Sequence, residues 1–209
     1  MSKAEIITFT IAMLAITNPI GNLAIFASLT GDKSLQEKRK TAFVAGIAIF
    51  IILILVTWTG DLLLRAFGID IASFETAGGL IIALMGISML HAKTSGIHHS
   101  KEDQENAQTK TSVAVVPIAI PIVAGPGAIT TIVVNTHQYS TIEDKVFISC
   151  VSIGIALILW LAFYFSAPVS RLLGISGINI VTRIMGIILT AIAFGMMASG
   201  FKALFPGLV

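Results

Sequence analysis

Polar residues are so sparse along this chain that their positions divide it more clearly than any periodicity does. Six stretches, 6–29, 41–64, 73–90, 113–136, 146–167 and 180–201, stay apolar on every face. A helix that crosses a bilayer needs about 20 consecutive, mostly apolar residues, and each stretch meets or approaches that length. The third and sixth carry one charge each near their start, Glu75 and Arg183. Buried strands can be as uniformly apolar, but membrane strands alternate polar and apolar residues over segments of about 10. The pattern therefore predicts an all-α membrane protein of six transmembrane helices.

Composition narrows the classes further. Of 209 residues, 56% are hydrophobic and 11% charged, against about 25% charged in ordinary soluble domains. A net charge of +2 with scattered Lys and Arg argues against nucleic-acid binding. The first apolar stretch is longer than a secretory h-region and lacks a small-residue cleavage pattern, so it reads as the first span. Cys150, the single cysteine, permits no internal disulfide and reads as a small buried hydrophobe. Between the third and fourth spans lies the one long polar stretch, read as a cytoplasmic linker over 93–111. Its adjacent His98 and His99 are too few for a metal site; no metal or cofactor is expected. With six spans the two sides of the membrane carry nine and four Lys/Arg residues, and the positive-inside rule puts the linker in the cytoplasm and both termini outside.

The chain also resembles itself. Arg65-Ala66-Phe67-Gly68-Ile69 returns as Arg171-Leu172-Leu173-Gly174-Ile175, while Pro19 falls on Pro126 and Gly79 on Gly186 at an offset of 107 positions. Residues 1–92 and 112–209 thus read as two three-helix repeats. An odd number of spans per repeat inverts the second copy relative to the first, an arrangement common in secondary transporters, whose sites lie near the midplane where broken helices meet.

Such breaks are present in the first and fourth spans, at Thr17-Asn18-Pro19-Ile20-Gly21-Asn22 and at Ala124-Gly125-Pro126-Gly127-Ala128-Ile129-Thr130-Thr131. Proline lacks an amide hydrogen and clashes with the carbonyl four residues back, so Pro19, Pro121 and Pro126 each free a carbonyl. Irregular backbone at membrane depth survives only inside protein or along a cavity. Both segments are expected to be unwound and to face each other, with Asn18, Pro19, Gly21, Asn22, Gly125, Pro126, Gly127, Thr130 and Thr131 lining a substrate site. Exposed amides and carbonyls would suit the two ends of a small zwitterion such as a neutral amino acid. Ordinary packing kinks are the plainer alternative, and Asn18 and Asn22 could serve as helix caps.

The same residues carry a resemblance. Asn18-Pro19-Ile20-Gly21-Asn22, the run from Val116 through Pro117, Pro121 and Gly125-Pro126-Gly127 to Ile129, and Gly177-Ile178-Asn179-Ile180-Val181-Thr182-Arg183-Ile184-Met185-Gly186 resemble the MarC family of bacterial and archaeal membrane proteins nearly end to end. The resemblance implies six spans in the plasma (inner) membrane and kinship with LysE-type exporters and neutral amino-acid transporters. One departure is Glu75-Thr76-Ala77-Gly78-Gly79, where the family pattern has an arginine before Ala-Gly-Gly; a role tied to that arginine does not carry over.

An intramembrane enzyme would need a nucleophile with a base, paired acids or metal ligands at helix depth, and none is apparent, so no catalytic residue is assigned. A non-transporting assembly or regulatory protein stays open, since small residues such as Gly78, Gly79 and Gly86 would serve helix packing in either case. Without a Walker motif, transport of a small-molecule substrate would be secondary, with H+ or Na+ as candidate coupling ions. Glu75 and Arg183 are the candidate coupling or gating residues, either pairing with each other, lining a polar cavity or snorkelling to the interface.

Overall fold

The computed structural model describes residues 1–91 and 124–208. Every regular element among them is helical: α1 (Lys3–Thr17), α2 (Pro19–Leu29), α3 (Leu35–Ala66), α4 (Ile71–Leu90), α5 (Pro126–Gln138), α6 (Ile142–Tyr164) and α7 (Ser166–Leu204), followed by a 3-10 turn at Pro206–Leu208. The 93–111 linker with its paired histidines, and the fourth predicted span up to Val123, including Pro117 and Pro121, lie outside the described residues. Among the described residues, five helices are long and apolar enough to cross a membrane, α1 and α2 counting as one across Asn18.

Residues with polar side chains start five of these seven helices, because the first amides of a helix lack internal partners. Ser34 caps α3 by accepting from the Glu37 amide, with the Glu37 carboxylate returning to the Ser34 amide. Thr141 caps α6 in the same way, accepting from the Asp144 amide. Ser34 and Thr141 stand 107 positions apart, as do Pro19 and Pro126 at the starts of α2 and α5. The offset read in the sequence therefore recurs in the helix boundaries. Gly68 and Gly174 of the repeated R-x-x-G-I share a left-handed backbone, with φ of 66° and 61°. A Cβ at either would touch nothing, so the conformation alone asks for glycine.

The spans predicted over 146–167 and 180–201 are separated as expected, but with other bounds: α6 ends at Tyr164, and the break before the last span narrows to Gly174. The chain stays helical from Ser166 to Leu204 apart from Gly174. Pro168 sits in the first turn after Phe165, where an absent amide hydrogen leaves no internal bond unmade. Leu172 and Ile175, flanking Gly174, are 87% and 82% exposed.

Packing centres on two pairs of helices. α4 and α7 run antiparallel at close range: a Cβ on Gly79 would lie 2.9 Å from the carbonyl oxygen of Ala193, one on Gly86 2.9 Å from that of Gly186, and one on Gly200 2.8 Å from that of Ala72. The contacting residues Ala72, Gly79 and Gly86 on one helix, and Gly186, Ala193 and Gly200 on the other, are spaced by seven. Small residues let helix backbones approach in lipid, where association relies on van der Waals contact rather than on water expulsion. Ile82 and Leu189, between these crossings, are fully buried. α3 and α6 form the second pair, with Gly46 against Trp160 and with Ile49, Leu53, Ile155 and Leu159 buried. The outer faces carry exposed Phe43, Ile47, Phe50, Leu55, Leu157, Ile187 and Phe194, a belt suited to acyl chains and far too apolar for water.

Gly86→Ala is expected to destabilise the protein by about 1–3 kcal/mol, the usual cost of overpacking a filled interior. Gly154→Ala, where a Cβ meets nothing within 4 Å, should leave stability unchanged. Unfolding of both variants in bicelles by steric trapping checks the contrast.

Candidate functional site

The first break is a single residue rather than an unwound segment. α1 ends at Thr17, Asn18 adopts φ 36° and ψ 67°, and Pro19 opens α2. Asparagine tolerates this left-handed region better than most residues, and Pro19 takes the first helical position, where its missing amide hydrogen costs nothing. The Gly21 amide donates to Oδ1 of Asn18 at 3.1 Å, and Nδ2 of Asn22 donates to the Thr17 carbonyl at 2.7 Å. A Cβ on Gly21 would lie 2.0 Å from Nδ2 of Asn18, so the cap needs glycine there. The N-P-I-G-N motif thus satisfies its own polar groups in an apolar interior, and Asn18 and Asn22 act as caps.

The second break differs. Gly125, in extended backbone, stands at the cap position of α5 and offers no side-chain acceptor to the first turn; Pro126 takes the first helical position. Gly127 is fitted among Ile82, Ile16 and Met85, whose nearest atoms would lie 3.1, 3.3 and 3.5 Å from an added Cβ. The second break therefore lies beside Ile16, two residues before the first. Apolar side chains make that contact. Thr130 keys into α4, where an added Cβ on Gly78 would lie 2.0 Å from its Cγ2.

A cavity of about 360 Å³ opens between α1, α4, α5 and α7, away from the two prolines. It follows α1 from Ala4 to Ala12, roughly 12 Å at the helical rise. Of the predicted lining residues it contains Thr131, and of the predicted coupling residues Glu75. Thr131 is 3% exposed and its Oγ1 has no hydrogen-bond partner among the described residues. Glu75 is half-buried, with the Ser199 hydroxyl nearby. At the shallow end Glu5 accepts from the Ser2 amide and meets the Tyr139 phenol. Partial burial, then the Glu5 hydrogen bond and the nearby carboxylates Glu5 and Asp144, push that phenol above its usual range, keeping it a neutral donor.

Arg183 does not join Glu75. It is exposed, three residues before Gly186, which packs on Met89 and Leu90 at the end of α4. Glu75 lies near the opposite end of the same helix pair, so the antiparallel register keeps the charges apart. Sequence reasoning missed the polar ties at the face where α5 ends. Asp61 of α3 pairs with Nδ1 of His137 at 2.7 Å and with Arg65 at 2.9 Å, and the amino group of Met1 pairs with Asp144. It also missed the cavity's α1 wall, Thr8, Phe9 and Ala12. A stretch apolar on every face gave no sign of which face turns inward.

A family model described as MarC family integral membrane protein matches residues 3–205. A UPF0056 membrane protein of Buchnera aphidicola subsp. Schizaphis graminum is 41% identical, over 97% of this chain and 94% of the relative. UPF0056 membrane protein YhcE of Escherichia coli is 35% identical over 96% and 94%, and UPF0056 membrane protein YvbG of Bacillus subtilis 36% over 99% and 98%. No solved structure matches.

Asn22→Leu should leave the Thr17 carbonyl without its partner in an apolar surrounding, at a cost of about 1–3 kcal/mol. A lowered thermal midpoint in detergent, partly restored by Asn22→Gln, is the expected result.

Proposed function

Because the chain belongs to the MarC family of integral membrane proteins, we propose that it is a secondary transporter of a small solute, with a neutral amino acid as the favoured substrate. The observation that carries this reading is the half-buried carboxylate of Glu75 in a cavity that opens between four helices of the bundle. An ionisable side chain within a membrane span is costly and marks a solute or ion pathway when it faces a cavity. The volume, about 360 Å³, falls in the range of small-molecule sites, which run from roughly 300 to 1,000 Å³.

The two halves act as inverted repeats in this reading. Support comes from the recurrence of helix starts and caps at one offset, from the matching left-handed glycines, and from the antiparallel contact of α4 with α7. Alternating access would then rock one half against the other, with α1 and α5 moving relative to the α4–α7 seam. The Lys/Arg distribution, nine residues against four, supports a plasma-membrane topology with both termini outside. H+ and Na+ are the coupling ions to test.

Proteoliposomes holding the purified protein should accumulate at least one labelled neutral amino acid under an imposed proton or sodium gradient, and Glu75→Gln should reduce that flux at least tenfold without loss of folded protein. Absence of flux for the whole panel under both gradients would overturn the reading. Impermeant labelling of terminal tags should succeed on intact cells; labelling only after lysis would reverse the topology.

A further inference from the structure

We propose that the deep end of the cavity is an ammonium site, so that the solute is a primary amine or an amino acid held by its positive end, with Glu75, Thr131 and Asn135 as its acceptors. This rests on the transport reading only for the fate of the solute; the binding assignment stands on the geometry.

Among the described residues, the cavity wall carries two carboxylates, Glu5 and Glu75, and no Lys, Arg or His. Glu5 is already engaged, by the Ser2 amide at 2.6 Å and by the Tyr139 phenol. Glu75 has only the Ser199 hydroxyl, and no ion pair reaches it among the described residues. On α5, Asn135 donates its amide group to the Thr131 carbonyl at 2.8 Å, which leaves its Oδ1 as an acceptor. Thr131, a residue of the wall, adds a buried hydroxyl with no partner among the described residues. A buried polar group without a partner is costly, and a lone carboxylate at membrane depth more so.

One ligand group resolves all three at once. A primary ammonium carries three N–H donors and no acceptor, and it would neutralise Glu75 while bonding to Thr131 and Asn135. A ligand carboxylate would meet the like charge of Glu75 and the Asn135 acceptor, with the Thr131 hydroxyl as its one donor among the three. The apolar part of the wall, which includes Phe9, Ala12, Ile192 and Met196, suits an apolar substituent on the same molecule.

The test uses the purified chain in nanodiscs in potassium buffer, with binding followed by calorimetry. Three probes separate the charged ends: alaninamide, which has the ammonium alone, propionate, which has the carboxylate alone, and alanine, which has both. Alaninamide and alanine are expected to bind and propionate not to; Glu75→Gln should weaken the first two at least tenfold. Thr131→Val supplies a variant that keeps the fold, because the hydroxyl it removes has no partner. Its thermal midpoint should match or exceed that of the parent while alaninamide binds several-fold more weakly. Propionate binding as well as alaninamide, alaninamide affinity unchanged in both variants, or a site that fills with sodium and ignores alaninamide would each overturn the assignment. Amine binding without flux would retire the transport reading and leave the assignment intact, whereas flux of propionate without amine binding would do the reverse.

Discussion

The close approach of α4 and α7 is the contact on which the rest of this bundle depends. In lipid there is no water to expel between two helices, so they hold together only as far as their surfaces fit and their dipoles and hydrogen bonds allow. Here, residues without side chains, or with a single methyl group, recur every seventh position on both helices, and an added Cβ at three of the crossings would lie under 3.0 Å from the opposing backbone. That seam fixes the antiparallel register. The register in turn sets Glu75 and Arg183 at opposite ends, lodges Ile82 and Leu189 at the centre, and turns Ile192 and Met196 of α7 toward the same cavity as Glu75.

Against this rigid pair the two proline breaks behave unlike each other. Asn18 and Asn22 close the first from within, taking up the Gly21 amide and the Thr17 carbonyl. At the second, Gly125 contributes no side chain, and the first turn of α5 depends on close apolar contact through Gly127. Pseudo-equivalent positions have thus been given different chemistry, one self-sufficient and one dependent on neighbours. The asymmetry is consistent with a bundle whose α5 side is the more adaptable.

Much of this was legible in the residues. Long apolar runs can only be helices in a bilayer, since every backbone group must find its partner within the segment, and the helix boundaries follow capping residues such as Ser34, Asp70 and Thr141. Pro19 and Pro126 marked the breaks, and both open helices 107 positions apart. The inward faces were less legible. Thr8, Phe9 and Ala12 sit in a stretch with almost no amphipathic signal, so nothing local says that they turn toward Glu75. Asn18 and Asn22 could be read as ligand contacts or as caps, and only the distances to Gly21 and Thr17 decide between the two. The helix at Ser166–Leu204 ran past its expected start because Pro168 falls in a first turn rather than in an interior.

The central claim is that a solute reaches Thr131 and Glu75 through the interior of the bundle. The most direct measurement is the reactivity of Thr131→Cys, in a background where Cys150 is replaced by Ser, toward a hydrophilic thiol reagent that cannot cross the membrane. Labelling from the side that carries the amino terminus, slowed by an added transported solute, is the result this account predicts. A thiol that stays unreactive from both sides while the protein remains folded would mean that no aqueous path enters the bundle there, and would contradict it.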